Sequence, residues 1–371
     1  MATDDGSGGG ISIEELQLAA RNHGMPLEAL RWTITPPGLH YLLIHYDIPA
    51  VDVTAWRLTI AGRVHRELSL TLEDLRERPQ VRLPVTFECA GNGRARLTPR
   101  PISQPWLSEA VGTAEWVGTP LRPLLDEAGV LDDAVEVVFT GLDRGIEGGV
   151  EQEYERSLTL DEAGAPNVLL AHGIGGQPLP PQHGSPLRLV VPGWYGMTNV
   201  KWLTRITPVS EPFRGYQQAT GYRMRRTADE PGEPLTRMLP RALMVPPGVP
   251  EFLSRRRSVS TGAHTLAGRA WSGWGPIRRV EVSTDGGVTW ADARIEEGPS
   301  PWAWSSWSFD WIAAEPGEVE LRCRATDAAG HGQPDEPEWN VGGYANHAVQ
   351  RVPVTVRAHD ASAPAAPGAD H

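Results

Sequence analysis

The chain has 371 residues, 40% of them hydrophobic and 22% charged, with a formal net charge of −12. That balance excludes a general nucleic-acid surface, which would be basic over a face or a domain, and no window approaches the roughly 18 apolar residues of a membrane-crossing helix. Two cysteines, Cys89 and Cys323, make neither a disulfide framework nor a CxxC metal site. The first thirty residues lack a basic n-region, an apolar h-region and a twin-arginine pair, so the chain reads as a soluble, cytoplasmic protein with reduced thiols.

Taken in chain order, residues 1–12 read as a flexible, Gly- and Asp-rich leader. "SIEELQLAARNHG" has the apolar spacing of a short helix, with Ser12 as N-cap. From Tyr41 the pattern turns to short β runs: "HYLLIHYDIP", "WRLTIAG", "LPVTFECAGN", "VEVVFTGLD", "PLRLVVPG" and "VKWLTRITP". Two helices, "TLEDLRER" and "TPLRPLLDEAGV", interrupt them without a βαβ rhythm. This predicts an α+β fold, mainly β, over residues 13–237. A Pro-rich stretch near residue 240 is a linker or the first edge of a second domain. Residues 238–358 then carry regularly spaced alternating strands, as in an immunoglobulin-like sandwich. Arg255 to Arg257 read as a solvated loop, and residues 359–371 as a disordered tail by composition. "STDGGVTW" fits the single-blade signature of a propeller but occurs once, so it reads as a tight hairpin around Asp285-Gly286-Gly287.

Two segments carry chemistry. In "VTFECAGNGRARL" a thiol ends a strand, at a glycine-bearing bend with arginines behind it, which are the surroundings of a thiolate. In "QPLPPQHGSPLRLVVPGWYGMTNVKWLTRI", His183, Arg188 and Lys201 surround a glycine turn and can donate to an anion, phosphate being well matched to a guanidinium. A hairpin loop with solvated basic residues explains that second segment equally well. Cys323, in the alternating run "VELRCRATD", reads as a core residue. Neither a Rossmann fingerprint nor a P-loop is present.

These motifs resemble those of the sulfite oxidase family. "TFECAGNGR" is similar to the family's cysteine motif and "HGSPLRLVVPGWYGMTNVKWL" to its pterin-binding segment. "HYDIP", "FTGLD", "VLLAHGIGGQPLP", "VEVSTDGGVTW" and "PEWNVGGYANHAVQRVPVTV" follow in the family's order. The resemblance implies a molybdenum-molybdopterin domain, one cofactor per chain, followed by an immunoglobulin-like dimerisation domain. It implies that Cys89 is the protein's ligand to molybdenum, a soft thiolate on a sulfur-rich site. It carries Ile44, His45, Asp143, His183, Arg188, Asn199, Val200 and Lys201 onto cofactor contacts, Asn199 and Val200 mainly through backbone. Arg94, Trp106 and His172 are then the substrate-pocket candidates.

The chain departs from the family where a sulfite dianion would be held. Family arginines align with Leu43, Gly93 and Gly342, and the tyrosine of "LLAY" aligns with His172. Each charge-assisted hydrogen bond contributes about 1.5–3 kcal/mol. Losing two would lower dianion affinity by a factor of roughly a hundred to ten thousand. The expected activity is two-electron oxygen-atom transfer on sulfite or on a less charged sulfur or nitrogen oxo-compound, oxidised or reduced. A non-catalytic scaffold is the alternative of another class. With no haem segment and no nicotinamide or flavin motif, electrons are expected to pass to or from a separate partner, and the second domain predicts a homodimer.

Overall fold

The computed structural model describes residues 10–359, so most of the expected leader and tail lies outside the described residues. The helix Ile13–Arg21 begins as its sequence predicts: the Ser12 side chain accepts from Glu15 N–H while Glu15 accepts from Ser12 N–H. Thr71 caps the helix Leu72–Arg76 through the same reciprocal box with Asp74.

Two mainly antiparallel sheets build the first half. One runs in the order Leu68–Leu70, Leu58–Ile60, Leu203–Val209, Glu136–Glu147, Val150–Thr159. The other joins Val81–Glu88 to Val111–Pro120 and then to Leu169–Ile174, with Arg188–Val190 beyond. The β runs expected around Phe87, Phe139, Leu189 and Ile206 are therefore strands. Val111–Pro120, whose glycines and threonines hide its alternation, is the centre of the second sheet.

In the second half, a four-stranded sheet containing Gly262–Trp271 and Ser305–Ala313 faces a six-stranded sheet containing Ile277–Ser283, Gly317–Asp327 and Gln350–Arg357. Leu266, Val280, Trp307, Leu321, Cys323 and Val354 fill the space between them, which makes a β-sandwich. Cys323 is fully buried there. The Asp285 hairpin forms as expected. The Asp285 carboxylate accepts from Thr289 N–H and hydroxyl, while Gly286 and Gly287 take φ of 72° and 94°.

An apolar layer including Met25, Leu30, Ala90, Val111, Leu243, Trp271 and Trp304 binds the halves together. Two expectations change here. Arg257 is buried and pairs with Glu28 instead of lying in a solvated loop, and Arg255 pairs with the same carboxylate. His40–Pro49 is not a strand, because side chains claim its backbone groups: Ile44 N–H donates to Asn22 Oδ1 at 2.7 Å, and Lys201 Nζ donates to Leu43 O at 2.8 Å.

Candidate active site

Cys89 follows directly on the strand Val81–Glu88. Its N–H donates to Ala110 O, and its carbonyl accepts from Asn92 N–H, both at 2.9 Å. Asn92 stitches the bend: Oδ1 accepts from Ala110 N–H and Nδ2 donates to Glu88 Oε1. Gly93, at φ 91°, then turns the chain into the short helix Arg94–Arg96. At Gly91 an added Cβ would stand 2.5 Å from the Arg94 guanidinium, so only glycine lets that guanidinium lie back over the bend.

Two cavities meet at Cys89. His40, Asp143, His183, Arg188, Asn199 and Lys201 line the first, and Ile44, Arg94, Trp106, Glu147 and Tyr344 line the second. Leu43, His45, Cys89 and Tyr222 border both.

The first cavity is buried and short of partners. Arg188 donates to His183 O at 3.0 Å and Asn199 O at 3.1 Å and packs against the stacked Phe87 and Trp116 rings, yet its Nε has no partner among the described residues. Asp143 Oδ1 and His40 Nε2 are likewise buried without hydrogen-bond partners among the described residues. A register shift between Thr140 and Arg144 frees Asp143 from the ladder, and Gly141 lets the Lys201 backbone pass beside it. Burial raises the Asp143 pKa to about 6, against the pull of Lys201, and lowers that of Lys201 to about 7 with help from Arg188. Burial also lowers Arg188 to about 10, His40 to about 4 and His183 to about 2. Such groups retain a cost that a ligand with complementary donors and acceptors would remove. A pterin offers donors for Asp143, and its phosphate offers oxygens for Arg188 and Lys201, so these residues fit a molybdopterin.

In the second cavity Arg94 donates from Nε to Gly342 O at 2.9 Å and from NH1 to Gln104 O at 3.0 Å, and lies over the Tyr344 ring. The buried Trp106 indole N–H has no oxygen or nitrogen acceptor among the described residues and lies toward the Cys89 thiol. Burial raises the Cys89 pKa, outweighing Arg94, the Gly91 N–H and Trp106, which all lower it. The neighbours alone therefore do not make Cys89 a thiolate, contrary to the sequence expectation. A bound cation would supply the missing stabilisation.

The structure brings together Ile44, His45, Cys89, Arg94, Trp106, Asp143, His183, Arg188, Asn199 and Lys201. It leaves out two. His172 lies on the side of Leu169–Ile174 opposite Ala171, which packs in the cluster with Cys89, and its ring bonds Gln80 at 2.8 Å. Strand alternation thus carries it away from both cavities. Val200 is fully buried and lines neither cavity; its N–H bonds Thr198 O and its carbonyl accepts from Leu189 N–H. Asn199 lines the first cavity, but its side chain is spent on Val191 N–H and Tyr195 O.

Sequence reasoning missed Tyr222, Tyr344, His40 and Glu147. Tyr222 follows the π-helical turn Gln217–Gly221, its hydroxyl 3.5 Å from His45 Nδ1. No spacing in "QQATGYRM" announces it; only the fold lays this turn against Cys89.

Among known proteins, residues 45–217 match the oxidoreductase molybdopterin binding domain family and residues 241–357 the Mo-co oxidoreductase dimerisation domain family. The chain is similar to Gallus gallus sulfite oxidase, 36% identical over 344 residues, covering 86% of this chain and 72% of the relative. It is 35% identical to Mus musculus mitochondrial sulfite oxidase over 87% of this chain, but spans only 62% of that relative's length. Solanum lycopersicum NADH nitrate reductase is 32% identical, with 38% of its length covered. In structure the chain is similar to the sulfane dehydrogenase of Paracoccus pantotrophus, with TM-score 0.77 and 27% identity over 95% of this chain and 92% of that one. With both domain matches in order and a relative at this identity over most of its length, the chain belongs to the sulfite oxidase family of molybdopterin-binding oxidoreductases.

Proposed function

We propose that this chain is a molybdenum oxidoreductase that exchanges an oxygen atom with a small oxo-compound beside Cys89. One observation carries the reading. A cavity with buried Asp143, Arg188 and His40 atoms that lack partners among the described residues adjoins, at Cys89, a second cavity holding a guanidinium, an indole and a phenol. The chemistry that the bound cofactor supplies is two-electron oxygen-atom exchange at molybdenum.

Cys89 would ligate the metal. Arg188 and Lys201 would hold phosphate, and Asp143 and His183 would take pterin contacts. In the second cavity Arg94 would orient an oxo group, Trp106 would keep water from the reacting side, and the Tyr222 hydroxyl would hold a proton beside His45. His172 takes no part. Only Arg94 among the expected cations reaches this cavity, so an oxo-compound of low charge suits it better than sulfite. Electrons would pass to or from a separate partner, and the chain would act as a cytoplasmic homodimer through its second domain. Among the described residues no helix is long and apolar enough to cross a membrane.

The test is molybdenum per chain, by elemental analysis of protein made in a host shown to produce the cofactor. A value near one is expected. A value near zero in folded protein would overturn the reading in favour of a scaffold.

A further inference from the structure

The cavity between Arg94 and Glu147 has a charge balance unsuited to a doubly charged ligand. Arg94 supplies a guanidinium whose Nε and NH1 are committed to backbone carbonyls. Glu147 supplies a carboxylate on the same cavity wall. Its Oε2 accepts from His45 at 2.9 Å, Tyr46 at 3.1 Å and Gln217 at 2.6 Å. Burial pushes its pKa up, but these donors more than compensate and hold it below the ordinary range. Tyr222 and Tyr344 stand on the same wall with ring centroids 5.3 Å apart.

The wall is also closed to further cations. At Gly342 an added Cβ would stand 2.2 Å from a Tyr344 ring carbon, so the ring occupies the space a side chain there would need. At Gly93, φ is 91° and an added Cβ would meet the Asn346 amide at 2.9 Å. At these two glycines the Tyr344 ring and the Asn346 amide therefore occupy the space that a side chain would need. Leu43 adds an apolar face.

We propose that Glu147 and Tyr344 are the specificity-determining residues of this cavity, and that they select an uncharged, hydrogen-bond-accepting oxo-compound of the sulfoxide type over a doubly charged oxo-anion. The inference rests on the reading of the site as the substrate side of Cys89. An uncharged S=O oxygen accepts from the open edge of Arg94 and from a tyrosine hydroxyl while its apolar arms lie against Trp106 and Leu43. A dianion would face the Glu147 carboxylate, whose neighbour His45 is already engaged by it, and would leave one guanidinium to offset two charges, a penalty on the order of tenfold or more in affinity.

The test compares two tetrahedral probes of similar size, sulfate and dimethyl sulfone, by titration calorimetry on molybdenum-loaded protein without reductant. The wild type is expected to bind dimethyl sulfone at least about tenfold more tightly than sulfate. Glu147→Gln, which keeps an oxygen for the three donors, is expected to move that ratio about tenfold toward sulfate. Gly342→Arg alone is expected to leave sulfate binding weak, because the ring blocks the new side chain. Gly342→Arg with Tyr344→Val is expected to raise sulfate affinity about tenfold. Sulfate binding as tight as the sulfone, an unchanged ratio in Glu147→Gln, or equal gains from the single and double substitutions would each overturn the proposal. Molybdenum content is measured on every sample. A chain without the metal fails the cofactor reading, whereas a loaded chain that prefers sulfate fails this one.

Discussion

Cys89 combines a thiol, a bend and burial, and the burial decides how it behaves. Burial outweighs the Arg94 guanidinium and pushes the thiol pKa up, so a thiolate role depends on a metal that replaces the proton. Cys89→Ser should leave the fold intact, since the backbone bonds of the bend do not involve Sγ. It should lower molybdenum-dependent turnover by at least about a hundredfold, the upper range for disturbing a metal's ligand environment. Steady-state assay and circular dichroism on the same sample check both halves. Retained turnover would remove Cys89 from the site.

His40 and His183 meet edge to face with centroids 5.7 Å apart, and burial lowers both below the ordinary histidine value. The unfolded chain therefore binds protons more readily than the folded one below about pH 6.5. Their contribution to stability is complete above that pH and is lost as the pH falls toward the folded values of about 4 and about 2. Between pH 7 and pH 5 each should cost the cofactor-free protein on the order of 2 kcal/mol. Denaturant titrations across this range should show the fall, and His40→Gln should flatten it. An unchanged slope would mean that His40 is protonated in place.

At the scale of elements, the strand ending in Glu88 is joined to the second domain by a buried ion pair. Glu88 accepts from Arg241 at 2.7 Å, from Asn92 at 3.0 Å and from the Trp271 indole at 2.9 Å, with the two paired side chains 3% and 4% exposed. The residue before the candidate metal ligand is thus anchored on one side by its own bend and on the other by the strand Arg241–Met244. Removing one member leaves a buried charge unpaired, so Arg241→Met should cost about 3–5 kcal/mol. Glu88→Gln combined with Arg241→Met should recover part of that loss. Urea unfolding of Glu88→Gln, Arg241→Met and the double variant checks this, and additive losses would show that the pair is not coupled.

For the whole molecule, the sandwich formed by residues 241–357 matches a dimerisation domain family. The protein is expected to run as a dimer in light scattering at micromolar concentration, and a monomer there would refute a constitutive dimer. The contact between halves depends on packing from both: Ala90 and Val111 from one side, and Leu243, Trp271 and Trp304 from the other. Placement of the cysteine bend and formation of the second domain are therefore connected.

What the sequence determined by itself was local. The Ser12 cap, the period-two strands and the Asp285 hairpin depend on neighbours within a few residues, so their physics is legible along the chain. For the cysteine and pterin segments residue types went only part of the way: His183, Arg188 and Lys201 suit a solvated hairpin loop as well as an anion site, and the family resemblance alone separated the two. Tertiary structure alone decided which side chains reach the site. Strand alternation turned His172 toward Gln80, backbone pairing used the polar groups of Val200, and packing against Glu28 buried Arg257. Tyr222, Tyr344 and Glu147 come to Cys89 from distant parts of the chain. No local pattern records such a meeting, because it is set by sheet register and by the contact between two domains.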